Sequence, residues 1–209
     1  MKIIFATGNK GKLHEAQEIM GPGFEILTPA DYGIFEDIEE TGDTLRENSI
    51  IKAEYIWNRT HVMCFADDTG LEVDALGGEP GVHSARYAAM VAEAEGRSTE
   101  GTDHNFDANC RTLLARLAAK GPDAPRTARF RNVVTLITPD GEKHFFDGVM
   151  EGHIAFEKAG CGGFGYDPVF VSEVYPDRTV AELPDGTKNE ISHRGMSLKA
   201  LAAYFNENE

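Results

Sequence analysis

The sequence predicts a single α/β domain over residues 1–209, built on a mixed sheet flanked by helices. Three observations lead there. Short apolar runs of strand character alternate with segments of helical apolar spacing early in the chain. Farther on, the stretches 126–138 and 143–149 are rich in β-branched and aromatic residues, and Pro139-Asp140-Gly141-Glu142 between them is a turn, so the sheet gains an antiparallel hairpin. The composition, 41% hydrophobic and 26% charged over 209 residues, is that of a chain able to bury a substantial core.

Residues 2–6 form the first expected strand, Thr7-Gly8-Asn9 a turn, and 10–20 a helix with apolar Leu13, Ala16, Ile19 and Met20. Thr41-Gly42-Asp43-Thr44 reads as the start of a second helix, along which Leu45, Ser49, Ala53 and Ile56 recur at helical spacing. An apolar run at 62–66 ends in Asp67-Asp68-Thr69-Gly70, strand character returns at 71–76, and 77–81 leads away through Gly and Pro. The stretch from Tyr87 to Phe106 is polar and poorly periodic, so a mobile excursion is expected there, and 89–108 carries no recognisable function. Phe106, Cys110, Leu113, Leu114 and Leu117 define a further helix stopped by Gly121-Pro122. Residues 160–167 form a glycine-rich loop, 169–171 a short strand, and Ser192 or Ser197 caps a last helix running to Phe205.

Charge and cysteines narrow the function classes. Lys+Arg 20 against Asp+Glu 35 gives a net charge of -15, which opposes a broad footprint on a nucleic acid polymer or an anionic membrane. An anionic ligand would need a locally basic pocket or a metal ion. No signal peptide or membrane anchor is expected. Cys64, Cys110 and Cys161 are few, odd in number and far apart, which fits buried small residues in a reduced, cytoplasmic protein.

Four clusters carry possible chemistry. Thr7-Gly8-Asn9-Lys10-Gly11-Lys12 joins a strand to a helix, where backbone N–H groups and the helix dipole favour an anion. It lacks the Walker A pattern, and alone it fits a plain capped turn equally well. Asp67 and Asp68 are adjacent carboxylates that repel unless a cation or proton intervenes, and oxygen clusters of this kind suit magnesium. Glu39 and Glu40 can join them, although by themselves they read as a solvated turn. Phe164 and Tyr166, in the loop ending at Asp167, can stack a planar base or simply anchor a core. Lys188, with Ser192-His193-Arg194-Gly195, forms a basic donor group in an otherwise acidic chain, or an ordinary surface pair.

The strings TGNKGK, FADDTGLEVDALGGEPGVHSARYA, GGFGYDPVF and ISHRG stand in one order from Thr7 to Gly195. Together they resemble the inosine triphosphate pyrophosphatase family, also called Ham1-like or non-canonical purine nucleoside triphosphate pyrophosphatases. The resemblance implies two lobes with a central active-site cleft, a homodimer, and Mg2+-dependent hydrolysis of ITP, dITP and XTP to monophosphate and pyrophosphate, a cleansing of the nucleotide pool. Carried over by motif, Thr7, Gly8, Asn9, Lys10, Gly11 and Lys12 would bind the triphosphate. Glu40 and Asp68 would hold magnesium, with Asp67 supporting it directly or through water, and Asp68 is the implied general base. Thr69 stands where many relatives carry serine and keeps the hydroxyl on the substrate. Phe164, Gly165, Tyr166, Asp167, Lys188, His193 and Arg194 would contact the nucleoside. Two other readings remain open at this point: a nucleotide phosphohydrolase of different base preference, and a non-catalytic nucleotide sensor.

Overall fold

The run Lys-Ile-Ile-Phe makes β1 (Lys2–Phe5), whose apolar side chains alternate between the two faces of a sheet, and both faces are covered. The computed structural model describes residues 1–207, with the backbone alone at positions 185 and 189. Ile3 and Phe5 pack toward α1 (Lys10–Met20) and the C-terminal α6 (His193–Glu207), in a core with Ala16, Met20, Leu198 and Phe205. Ile4 and Ala6 face the other way, against Ala53 and Ile56 of α2 (Leu45–Thr60).

Strand β1 pairs in parallel with β2 (Glu25–Leu27) and with β3 (Cys64–Val73). Strand β3 pairs antiparallel with β4 (Pro80–Gly81). The sheet continues through β5 (Thr127–Ile137) and β6 (Lys143–Ile154) to β7 (Phe170–Ser172), in the order β2-β1-β3-β5-β6-β7. The β6 and β7 strands are antiparallel. The sheet is therefore mixed and carries helices, as the alternating periodicities predict.

The chain divides into two compact units. The first comprises Met1–Asp68, Asn132–Gly148 and Ser192–Glu209, and it holds the two apolar layers just described. The second comprises Thr69–Arg131 and Val149–Ile191, and its core gathers Leu71, Tyr87, Leu113, Phe130, Tyr166 and Phe170. Strands β3, β5 and β6 each begin in one unit and end in the other.

Three expectations need correcting. The excursion after Tyr87 opens as a helix, α3 (Tyr87–Ala94), because Tyr87, Ala88, Val91 and Ala92 recur at i, i+1, i+4 and i+5 and bury one stripe. This stripe packs on α4 (Phe106–Ala118). Asn109 of α4, fully buried, secures the approach: its Oδ1 accepts the Ala88 N–H at 2.8 Å and its Nδ2 donates to the Ala85 carbonyl at 2.9 Å. Asp67-Asp68 does not end a strand, since β3 runs straight through it. Cys64 and Cys110 are buried, but Cys161 is exposed. Burial pushes the Cys64 thiol up to about 12 and the Cys110 thiol up to about 11.

Helix boundaries follow local chemistry. Asn9 caps α1, its Oδ1 accepting the N–H groups of Gly11 and Lys12, and Thr44 with Glu47 forms a capping box on α2. Ser192 caps α6 by accepting the Gly195 N–H at 2.9 Å, which settles the choice between Ser192 and Ser197. Lys188 lies in a short helix of its own, α5 (Asp185–Ile191), which the sequence reading did not anticipate. Among the described residues no helix is long and apolar enough to cross a membrane.

Gly152 faces Ser172 across the β6 and β7 pair, and a Cβ there would lie 2.2 Å from the Val171 carbonyl oxygen and 2.7 Å from the Phe170 ring. Gly152→Ala is expected to cost about 2 kcal/mol or more by overpacking, whereas Gly23→Ala, with no atom within 4 Å of its new methyl, should stay within about 0.5 kcal/mol. Urea denaturation of the two variants checks both, and equal midpoints would contradict the crowding argument.

Candidate active site

Successive side chains of a strand point to opposite faces, so the adjacent carboxylates of β3 are separated by the strand that carries them. Phe65 faces α1 and α6, and Asp67, two residues on, follows it. Cys64 and Ala66 face α2, and Asp68 follows them. Each carboxylate meets a different set of partners.

Asp67 is nearly inaccessible, with its side chain 1% exposed. Lys12 Nζ donates to its Oδ1 at 2.8 Å, and Arg194 Nε donates to its Oδ2 at 3.1 Å. Arg194 Nη1 also bonds Glu15 of α1. Burial alone would raise the Asp67 carboxyl, but the charges of Lys12, Arg194 and Lys52 overcome it and hold it well below the usual carboxylate range. The cost falls on Lys12, which burial depresses against the opposing attraction of Asp67.

On the other face, Lys52 Nζ donates to Asp68 Oδ1 at 3.0 Å and to Glu40 Oε1 at 2.7 Å. Burial works to lower the Lys52 ammonium, but Asp68 and Glu40 outweigh it and raise it. For Asp68 the balance reverses: burial prevails over the Lys52 charge, Glu40 adds its own repulsion, and the carboxyl is raised. Two neighbours in sequence thus become a firmly ionised aspartate and a more basic one. Gly42 permits this face, since a Cβ there would lie 2.6 Å from Glu47 Cβ on the first turn of α2; its N–H donates to Asn48 Oδ1 at 2.8 Å.

Glu40 and Asp68 therefore converge on one cation, the Lys52 ammonium, whereas Asp67 is turned away from them. Among the described residues, no group of three or more His, Cys, Asp or Glu side chains is gathered as metal ligands would be. The loop from Thr7 to Lys12 is a capped turn: Asn9 N–H donates to Thr7 Oγ1 at 3.1 Å, and Gly8, Asn9, Lys10 and Gly11 are exposed.

The second unit holds a separate constellation. Asp167 Oδ2 accepts the Phe164 N–H at 2.7 Å and the Lys188 ammonium. Tyr166 is buried and its hydroxyl donates to the Ser84 carbonyl at 2.8 Å, so of the two loop aromatics it is the core anchor, whereas Phe164 is 54% exposed. Lys188 belongs with Asp167, whereas Arg194 belongs with Asp67 and Glu15, so the basic group expected near the C-terminus is divided. Thr69 and Gly165 are partly exposed, and His193 opens α6.

Sequence reasoning missed Lys52 and Glu15. For Lys52 a signal existed: it lies four residues after Asn48 on a helix whose buried stripe is otherwise apolar or small, so both polar side chains face inward. Glu15 carries no such mark, because its partner is 179 positions away.

Removing the Asp67 charge leaves the largely buried Lys12 without its carboxylate and Arg194 with Glu15 alone. Asp67→Asn is expected to lower unfolding stability by about 3–5 kcal/mol, and Lys12→Met, which leaves Asp67 with Arg194, to cost less. A denaturant titration that finds Asp67→Asn as stable as the parent chain would remove the cluster from the stability account.

Comparison with known proteins places these residues in context. The Ham1 family model matches residues 3–204. The chain is 48% identical over 204 residues to a dITP/XTP pyrophosphatase of Porphyromonas gingivalis, covering 98% of this chain and 97% of that one. It is 43% identical over 203 residues to a dITP/XTP pyrophosphatase of Bacillus subtilis, covering 96% and 95%. Among solved structures, the Ham1 protein of Staphylococcus aureus matches with a TM-score of 0.85 at 35% identity, over 100% of both chains. A HAM1 protein from Coxiella burnetii matches with a TM-score of 0.86 at 36% identity, over 99% of both.

Proposed function

Because the chain belongs to the Ham1 family, we propose that it is a nucleoside triphosphate pyrophosphatase that hydrolyses the non-canonical purine nucleotides ITP, dITP and XTP to the monophosphate and pyrophosphate. The observation that carries this reading is the division of Asp67 and Asp68 between two faces of β3. It supplies a fixed negative charge that orders two cations on one side and a raised carboxyl beside a second acid on the other.

Glu40 and Asp68 fit a magnesium ion by the chemistry of their donors. Both are hard carboxylate oxygens, and both already converge on a single positive group, the Lys52 ammonium, at 2.7 and 3.0 Å. When bound, the ion neutralises phosphate charge and favours attack at phosphorus. The chain's own groups do the remaining work. Burial raises the Asp68 carboxyl, and a bound cation would lower it again, so Asp68 serves to position and polarise the attacking water rather than as an ordinary strong base. Lys12, beside the exposed loop Gly8–Gly11, and the N-terminal end of α1 hold phosphate oxygens. Asp67 keeps Lys12 and Arg194 in place.

The nucleoside falls to Phe164, Gly165, Tyr166, Asp167, Lys188, His193 and Arg194, with Thr69 adding a hydroxyl. Phe164 offers an exposed ring for stacking, and Tyr166 fixes the loop from beneath. Hypoxanthine and xanthine carry a carbonyl oxygen where adenine carries an amino group. Donors such as Lys188 satisfy that oxygen, and adenine would set donor against donor. Arg194 has five N–H donors, of which its contacts with Asp67 and Glu15 engage Nε and Nη1. We propose a homodimer in the cytoplasm as the working form.

Incubation with ITP, dITP, XTP, ATP and GTP, with and without magnesium, should release pyrophosphate and monophosphate from the first three in the presence of the metal. Inorganic phosphate with IDP would sink the proposal. Asp68→Asn should lower turnover by about 100-fold or more with the thermal midpoint kept within a few degrees, and near-parental turnover would remove the base.

A further inference from the structure

The loop that carries Phe164 has little internal means of holding its shape. Four of the six residues at 160–165 are glycine, three of them at positive φ, and Cys161 and Phe164 are both exposed. Gly162 N–H donates to the Ala181 carbonyl at 3.2 Å, and further support comes from the first turns of α4. Phe106 packs against Phe164 with ring centroids 4.3 Å apart and planes tilted by 60°. One turn farther on, Cys110 Sγ donates to the Gly165 carbonyl at 3.4 Å. Between them Asp107 pairs with Lys158, just before the loop. Phe106 and Cys110 stand at i and i+4, so one face of α4 meets the loop twice.

Phe106 can cover at most one face of the Phe164 ring, and Phe164 remains 54% exposed. Its backbone is held by Asp167, which accepts its N–H, but its side-chain torsions depend on the ring beside it. A tilted aromatic pair is a favourable arrangement and restricts those torsions. We infer that Phe106 is a positioning residue for base recognition: it braces Phe164 so that the ring presents a preset stacking face to the planar purine of the substrate. The inference rests on the nucleotide-hydrolase reading and deepens it, because it gives the excursion before α4 a task. That segment ends in the Asn105 cap, whose Oδ1 accepts the Ala108 N–H at 3.0 Å and fixes the turn on which Phe106 stands. Restricting a side chain before binding reduces the ordering required on binding, which affects affinity and leaves the bond-breaking step alone.

The test uses the full chain and four variants: Phe106→Leu, Phe106→Tyr, Phe164→Leu and the double Phe106→Leu/Phe164→Leu. Pyrophosphate release from ITP and calorimetric binding of ITP without metal are measured beside thermal midpoints. Phe106→Leu should raise KM about three- to tenfold with kcat within about twofold, Phe106→Tyr should restore the parental KM, and the leucine at 106 should add less than about twofold once Phe164 is gone. An unchanged KM in Phe106→Leu or in Phe164→Leu overturns the inference. So does an equal effect of Phe106→Leu in both backgrounds, or a Phe106→Tyr chain that behaves like Phe106→Leu with a matching fall in midpoint. A parental chain that binds ITP without hydrolysing it defeats the enzymatic reading alone, and the dissociation constants of the four variants then decide the role of Phe106. A chain that neither hydrolyses ITP with magnesium nor binds it with or without the metal defeats both.

Discussion

Two carboxylates in succession on a buried strand set the terms for the first unit. A strand with ionised neighbours facing opposite ways needs a compensating partner on each face, and no local choice of conformation relieves that requirement. Lys12 from α1 and Arg194 from α6 answer Asp67, and Lys52 from α2 answers Asp68. Both helical layers are thereby tied to β3 by charge as well as by apolar packing. The charge links from β3 to α1, α2 and α6, the hydrogen bond that holds Glu40 and the contrast in basicity between the two aspartates all follow from this one arrangement.

Such pairs are not a free source of stability. Taking ions from water is expensive, and apolar residues of the same shape would serve the fold as well or better. Retaining five charged side chains, Lys12, Asp67, Lys52, Asp68 and Arg194, in largely buried positions is understandable where they meet a polyanionic substrate. Burial depresses Lys12, whereas attraction to carboxylates raises Lys52 and Arg194, so three cations are gathered among the acids of a chain that carries -15 as a whole.

Much of the scaffold was legible in the order of residues. Helices α1, α2 and α4 declared themselves by apolar spacing and capping residues, and the hairpin by Pro139-Asp140-Gly141. What escaped was decided by distant partners. Strand β3 looked finished at Asp67 because charged residues ordinarily leave a strand interior, and only Lys12, Arg194 and Lys52 make continuation tolerable. Helix α3 was hidden because its apolar stripe is short and built largely of alanine, and it becomes a buried face only when α4 lies against it. The candidate site was legible as a set of residue types, since the acids, the loop and the aromatics are visible in the string. Their grouping was not: the sequence put Asp67 with Asp68, which the alternation of a strand turns to different partners, and Lys188 with Arg194, which pair with Asp167 and with Asp67 and Glu15.

The way the backbone is shared between the units has its own corollary. One unit is assembled from three stretches of chain and the other from two, and β3, β5 and β6 cross from one to the other. No single break in the polypeptide therefore yields two self-sufficient halves. A gene fragment ending anywhere in the middle would omit ladder partners from both cores at once. Genetic dissection into half-proteins is closed to this architecture, and variation is left to the connections that lie outside the shared strands.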